Sequence, residues 1–353
     1  MFFNQKTLGG PLLLFEELVI IIMKAVNLER TISSPFHLIK GKKSGQTIQD
    51  IGYYRLHPYF AVMPKLEKHL YDEVIQRLFD RQLLKPNDQV IDLTDKAWAL
   101  DLPASPLNGW KYRGNEAVFL NRLSLIVQTL SYTSQRINKF DPVHNAEDLQ
   151  AWVKNYLKEI NFRESSSVAR FKAEMLESLQ MADVEERGKM VLLQRLTGLG
   201  WSGMTWEQIA LTHNVHILDV QLASVEALHA WIDVIERKDF PLLSRLLDQV
   251  IQRSVLTEST QRTQKLFERG HSLQEIAAIR QLKTSTIEDH FVELAMNDPF
   301  FNFTPFMPQA IYEQIVSVSK SRKTKRLRDI KEELPDATYF QIRLALALRE
   351  DQR

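Results

Sequence analysis

Residues 263–294, TQKLFERGHSLQEIAAIRQLKTSTIEDHFVEL, carry helix stops and starts so closely spaced that only a compact helical unit can satisfy them. Gly270 can take φ > 0 and so close a first helix. Ser272 opens a second, with Glu275 at the capping-box position. On it Leu273, Ile276 and Ala277 fall at i, i+3 and i+4 and make one short buried face, Ala277 being small where the next helix must cross. Gln281 to Lys283 form the turn, with Leu282 as its apolar plug. A third helix starts at Thr284 or Ser285, where Ser285 and Glu288 are spaced as another capping box. Its Ile287, Phe291, Leu294 and Ala295 face inward. This is the spacing of a helix-turn-helix. The remaining side, Lys283, Thr284, Ser285, Thr286 and His290, is polar and near a helix N-terminus, where hydroxyls and N–H groups can meet phosphates and base edges. The alternative is a tri-helical unit that only packs against the rest of the chain. Glu288 and Asp289 favour it, because carboxylates there would repel phosphates.

Charge decides how such a unit could hold DNA. With 45 Lys plus Arg against 44 Asp plus Glu there is no global basic field, so nucleic-acid affinity must come from local patches. The clearest is KSRKTKRLR, in which Lys320, Arg322, Lys323, Lys325, Arg326 and Arg328 fill six of nine positions. Residues 255–353 hold 15 Lys plus Arg against 14 Asp plus Glu, so this end is segregated in charge rather than basic. A charge run can equally be a solvated face. Adjacency to the helix-turn-helix turns the reading towards phosphate contact.

The 353 residues suffice for two or three domains, and 44% hydrophobic with 25% charged residues is the balance of a soluble globular chain. The lack of cysteine excludes disulfides, thiol catalysis and cysteine-based zinc sites, and points to a reducing cytosol. The apolar run Pro11 to Val26 is interrupted by Glu16 and Glu17 and is too short to span a membrane, so it reads as a buried amphipathic helix.

Residues 12 to about 100 read as helix, loop, helix, helix and short hairpin. The loop Lys40 to Thr47 includes Lys42, Lys43 and Ser44; it lacks P-loop spacing, and its functional use would be phosphate contact at a helix N-terminus. A helix from Leu66 to Leu83 buries Leu70, Val74, Leu78 and Leu83, and residues 83–94 read as two short strands and a turn. Phe36 to Gly41 with Lys43 and Ser44, then Tyr71-Asp72-Glu73 through Leu78 to Leu84, then Ile91 to Ala97, resembles the RQC winged-helix domain of RecQ helicases, although Ala97 stands where that family often has glycine.

Between 115 and 255 the periodicity predicts helices near 115–133, 146–160, 165–180, 182–196, 204–213, 217–237 and 240–253. Thr205 to Leu218 resembles a second helix-turn-helix, for which a helical packing module is the preferred reading. Trp201, Trp206 and Trp231 read as core aromatics. After Pro299, helices are expected over Pro308–Ser319, Lys325–Leu334 and Thr338–Arg349, with Thr338 as N-cap. No metal site or catalytic constellation emerges. His213, His216 and His229 lack a completing ligand, and GxSxG, GxGxxG and helicase motor signatures are missing. The expectation is a binding protein without cofactor, not an enzyme.

Gly270, Glu275-Ile276-Ala277, Leu282, Thr286-Ile287 and His290 fall where the LuxR-type helix-turn-helix repeats them. Arg280 and Lys283 depart from it, each adding a cation near the DNA face. With the RQC-like start and the helical middle, the chain resembles the bacterial YpbB family, whose C-terminal helicase-type helix-turn-helix is also appended to some RecQ helicases. The expected fold is mainly α: a winged-helix-like domain with one small hairpin (12–105), a helical middle (113–255) and a helix-turn-helix domain (256–353). The resemblance implies a non-catalytic accessory protein of a separate RecQ-family helicase in recombination or repair, cytoplasmic and nucleoid-associated, binding duplex, fork or junction DNA without membrane contact. The alternatives are a LuxR-like sequence-specific transcription regulator and a protein-binding adaptor without DNA contact.

Overall fold

The computed structural model describes residues 12–87, 90–252, 254, 256–298 and 300–348. The N-terminal unit holds α1 (Leu14–Val26), α2 (Ser34–Lys40), α3 (Gly45–Tyr53), α4 (Lys68–Asp80) and the short α5 (Asp95–Trp98). The middle unit holds α6 (Gly109–Tyr112), α7 (Glu116–Ser134), α8 (Glu147–Glu159), α9 (Ser165–Met181), α10 (Glu186–Gln194), α11 (Trp206–His213), α12 (Ile217–Arg237) and α13 (Pro241–Ser244). The C-terminal unit holds α14 (Glu258–Phe267), α15 (Leu273–Arg280), α16 (Thr284–Asn297), α17 (Gln309–Arg322), α18 (Leu327–Glu333) and α19 (Tyr339–Ala347). No helix among the described residues is long and apolar enough to cross a membrane.

Glu16 explains how α1, otherwise apolar, is fastened. It is fully buried, accepts the Leu13 N–H at 3.0 Å, and meets Arg77 Nε at 3.0 Å and Arg81 Nη1 at 3.4 Å. The next orphan donor of the helix start, Phe15 N–H, goes to Asp219 Oδ1 on α12 at 3.0 Å. Charge is therefore drawn inside with its partners, as a buried carboxylate requires. Among the described residues, the expected hairpin at 83–94 is reduced to one internal antiparallel bridge, Leu84 with Leu93, flanked by Lys85 N–H to Asp92 O at 2.8 Å and Thr94 N–H to Leu83 O at 3.1 Å. Pro86 has no N–H to extend that ladder.

The middle helices start and stop close to where periodicity puts them, with one exception. The helix expected over 240–253 ends at Ser244 and gives way to a 3-10 turn at Arg245–Leu247. The Arg122 guanidinium takes the carbonyls of Leu246 (2.9 Å) and Asp248 (2.6 Å), oxygens a continuing helix would need. Trp231 is buried, but Trp206 is half-buried under the Arg195 guanidinium and Trp201 is 59% exposed, so only the first is a core residue. The second helix-turn-helix is real in form: Thr205 and Gln208 make a capping box, Asn214 is left-handed, and Val191, Ile209, Ala210, Val215 and Val220 fill a small core.

Of the three units read from sequence, the first and last do not keep separate cores. Phe15, Ile39, Ile51 and Leu78 belong to one continuous cluster with Ile276, Phe291, Ile315 and Ile342, while the middle has its own around Phe119, Tyr156, Phe171 and Trp231. The seam is α3 against α16. A Cβ at Gly45 would come within 2.2 Å of Asp289 Oδ2, and one at Gly52 within 2.2 Å of Met296 Sδ. Both pairs advance by seven residues, so the helices run side by side in the same direction for about 10 Å, with the Asp289 and Met296 side chains lying where the β-carbons would be. Replacing Gly45 or Gly52 with Ala is expected to cost about 1–3 kcal/mol by overpacking. Unchanged thermal unfolding of both variants would show the seam to be looser than described.

Candidate nucleic-acid interface

The C-terminal helix-turn-helix is built as its caps dictate. Ser272 Oγ accepts the Glu275 N–H at 3.3 Å, and Glu275 Oε2 accepts the Ser272 N–H at 2.7 Å. Gly270 has φ +88°, and Gln281 ends α15 in the left-handed region, where its own N–H and that of Leu282 close the last carbonyls. Buried Glu293 ties α16 to the start of α14, accepting from the hydroxyls of Thr257 at 3.0 Å and Thr260 at 2.6 Å. The expected Ser285–Glu288 capping box does not form. Lys283 is the N-cap of α16, and Glu288 turns instead to Arg343.

The first turn of α16 lies open, with Lys283, Thr284 and Ser285 exposed and Thr286 half-buried. Beyond it, every residue from His290 to Met296 is buried, beneath helices that include α3 and α19. Only the N-terminal turn can therefore meet a phosphate or a base edge; the helix cannot lie along a groove. His290, expected at the DNA face, is 7% exposed and internal. Its Nδ1 lies 2.8 Å from Thr263 Oγ1 and 3.3 Å from Arg280 Nη1. A guanidinium only donates, so Nδ1 is the acceptor. Burial, and then Arg280, push the imidazole pKa down to about 4, so it carries no charge to offer. Arg280, also expected to touch DNA, bends back to the Ser259 carbonyl at 2.8 Å, the Ser259 hydroxyl and Thr263.

The two carboxylates that spoke against DNA share one cation, which the sequence did not single out and which offsets one of their two charges. Arg343 of α19 meets Glu288 Oε2 at 2.8 Å and also bonds Asp289, which receives Gln49 Nε2 at 3.3 Å as well. Burial pushes both carboxyl pKa values up, and Arg343 opposes that shift. Arg343 lies 54 residues from Asp289 in the chain, so no local pattern could pair them. Its carbonyl is held in turn by the Tyr53 hydroxyl at 2.8 Å.

Lys42 and Lys43 are exposed at the start of α3. Ser44 is the N-cap there, its Oγ accepting the Thr47 N–H, so its side chain is already engaged. Because Gly45 touches Asp289, Lys43 stands two residues, and Ser285 one helical turn, from the same point. Two stretches 240 residues apart thus meet where Gly45 and Gln49 contact Asp289, with Lys43 and Ser285 each within a turn of that contact along its own segment.

The Lys320–Arg328 cluster divides. Arg322 pairs with Glu333, and Arg328 with Glu332 at 2.9 Å. Lys325 is a joint: its ammonium donates to the Tyr53 carbonyl and sits 5.3 Å from the Tyr54 ring, while its backbone N–H reaches Glu29. Lys323 is exposed and Arg326 half-buried, and no ion pair among the described residues engages either. Lys320, Lys323 and Lys325 line a groove of roughly 1000 Å³ together with Lys24, Arg55 and His57, two cations and an imidazole of the N-terminal unit that sequence reading missed. Its single lining carboxylate, Glu29, is occupied by Tyr54 and Lys325. The groove lies at the C-terminal end of nine-residue α3 and the Lys42–Lys43 loop at the other end, about 13 Å of helix apart. His213, His216 and His229 serve separate structural partners: Gln194, the Leu218 N–H and the Asn108 N–H.

The depressed pKa of His290 gives a pH test. Its stability contribution is complete above the ordinary value of 6.5 and is lost as pH falls towards about 4, since the unfolded chain binds the proton first. His290→Asn keeps an acceptor near Nδ1 but cannot titrate. Wild type is expected to lose stability relative to this variant between pH 6.5 and 4, and the two should bind DNA alike at pH 7.5. Weaker binding by the variant would place the ring at the surface after all.

Comparison with known proteins agrees with this architecture. A family model described as a helix-turn-helix domain matches residues 259–346, from α14 into α19. No solved structure matches. Protein YpbB of Bacillus subtilis (strain 168) is 31% identical over 353 residues, covering 96% of this chain and 98% of that protein. At that identity and coverage, the chain belongs to the YpbB family and ends in a helix-turn-helix domain.

Proposed function

We propose that this protein is a non-catalytic DNA-binding accessory of a RecQ-family helicase, acting in recombination or repair in the cytoplasm on the nucleoid. The observation that carries DNA binding is the open N-terminal turn of α16, where Lys283, Thr284 and Ser285 stand near Lys42 and Lys43, and Arg343 pairs with the nearby Glu288 and Asp289 and offsets one of their two charges. A helix start with exposed hydroxyls and cations favours phosphate. The basic groove at the far end of α3 supplies a second patch, through which a backbone could continue. Partnership with a helicase rests on the RQC-like spacing of residues 36–97 and on the C-terminal domain type. Burial of α16 beyond its first turn favours grip on phosphates over base readout, which counts against the sequence-specific regulator. The same burial supports a second reading, a scaffold whose helix-turn-helix only organises the core.

Fluorescence anisotropy on duplex, fork and junction DNA separates these. If six phosphates are neutralised, log K against log salt should slope by roughly −5. Alanine at Lys42, Lys43, Lys283 and Lys323 should weaken binding to all sequences alike and flatten the slope by about one per lysine. Arg343→Gln should weaken binding as well, by returning two carboxylates to the face. A flat salt response would establish the scaffold instead. Lys325→Ala is a poor probe, because it also breaks the joint to Tyr53.

A further inference from the structure

A second groove lies in the middle unit, away from both basic DNA patches. It is about 570 Å³, floored by Leu125 of α7 and Val153 and Leu157 of α8, and walled by Phe140 and Phe162. Its charged lining is Lys154, Lys158 and Arg163, with no carboxylate. None of the three cations joins an ion pair among the described residues, and all are exposed. Of the nearest acids along the chain, Glu159 is paired with Arg245, and Glu164 accepts the side-chain N–H of the lining residue Asn161 at 3.1 Å.

We propose that this groove docks an acidic protein segment in which carboxylates alternate with apolar side chains. The rim argues for several negative charges in a row. Lys154 and Lys158 are one turn apart on α8, about 5–6 Å, and Arg163, past the helix end, lines the same groove. Alternate residues of an extended peptide are about 6.6 Å apart on one edge, which brings successive carboxylates opposite successive cations. Their neighbours then point the other way, into the aliphatic floor. A lipid carboxylate supplies only one charge for three cations. A nucleic acid supplies many, and Phe140 and Phe162 could stack its bases, but the aliphatic floor of Leu125, Val153 and Leu157 matches apolar side chains better than bases, and competition by an oligonucleotide separates the two. Cations around an apolar groove select such a segment by charge complementarity and speed its encounter. A partner held here leaves the α16 edge and the Lys320–Lys325 groove open, so protein and DNA could be held together.

The probe is a short fluorescein-labelled peptide alternating aspartate with leucine and phenylalanine, titrated into the full chain by anisotropy. Binding is expected, with loss on replacing the aspartates by asparagine or the apolar residues by serine. K154E, K158E and R163E together should weaken it by about tenfold or more, and a lysine version of the peptide should prefer that variant. The substitutions are at exposed positions, and an unchanged melting curve checks the fold. Failure of the peptide to bind, binding indifferent to the charge reversal, or displacement by single-stranded oligothymidine would each overturn the proposal. Duplex binding measured on the same variant should stay unchanged, which keeps this result separate from the DNA reading.

Discussion

The architecture depends on how closely α3 can approach α16. Glycines at positions 45 and 52 remove the β-carbons that would hold the helices apart, and Asp289 and Met296 occupy the space so released. The seam is then pinned by polar contacts at its edge: Gln49 to Asp289, Arg343 to Glu288 and Asp289, and the Tyr53 hydroxyl to the Arg343 carbonyl. Helix seams of this kind hold through packing density, and the ion pairs mainly settle charges that burial would otherwise make costly. Once the seam forms, both ends of the chain share one core, and the middle unit becomes an insertion between them, bridged by α12 with Leu218 and Leu222 in the shared core.

That joint changes what the helix-turn-helix can do. In an isolated tri-helical unit the third helix would present a whole face. Here it is enclosed from His290 onward, and its one histidine is turned into the interior to accept from Thr263 and Arg280. What remains outside is an edge assembled from the first turn of α16 and the loop before α3. Backbone contact suits such an edge better than base-edge readout, since phosphate recognition needs only cations, hydroxyls and N–H groups at a surface. Lys325 is the counterpart at the other end of α3, a cation used to hold Tyr53, Tyr54 and Glu29 together so that Lys320 and Lys323 face a common groove.

The middle unit adds a layer of its own. α11 and α12 repeat the capping logic of α15 and α16, down to the isoleucine–alanine pair and the left-handed residue that ends the shorter helix. α12 is then buried along much of its length, so the motif serves packing, as preferred from sequence. The recurrence shows why such spacing identifies a fold more firmly than a use: caps and small residues specify how helices cross, and exposure alone decides what they can touch.

Local rules determined a good deal from sequence alone. The Ser272–Glu275 and Thr338 caps, the Gly270 stop, the α12 limits and most middle helices follow from short-range chemistry, because caps and i, i+4 spacing act within a few residues. Only the tertiary structure could decide the rest, since it turns on partners tens to hundreds of residues apart. It sent His290 and Arg280 inward, gave Glu288 to Arg343 rather than to a capping box, cut the helix after Ser244 by lending two carbonyls to Arg122, and merged the terminal units. Each outcome was set by which buried polar group most needed a partner, a competition that the order of residues along the chain does not display.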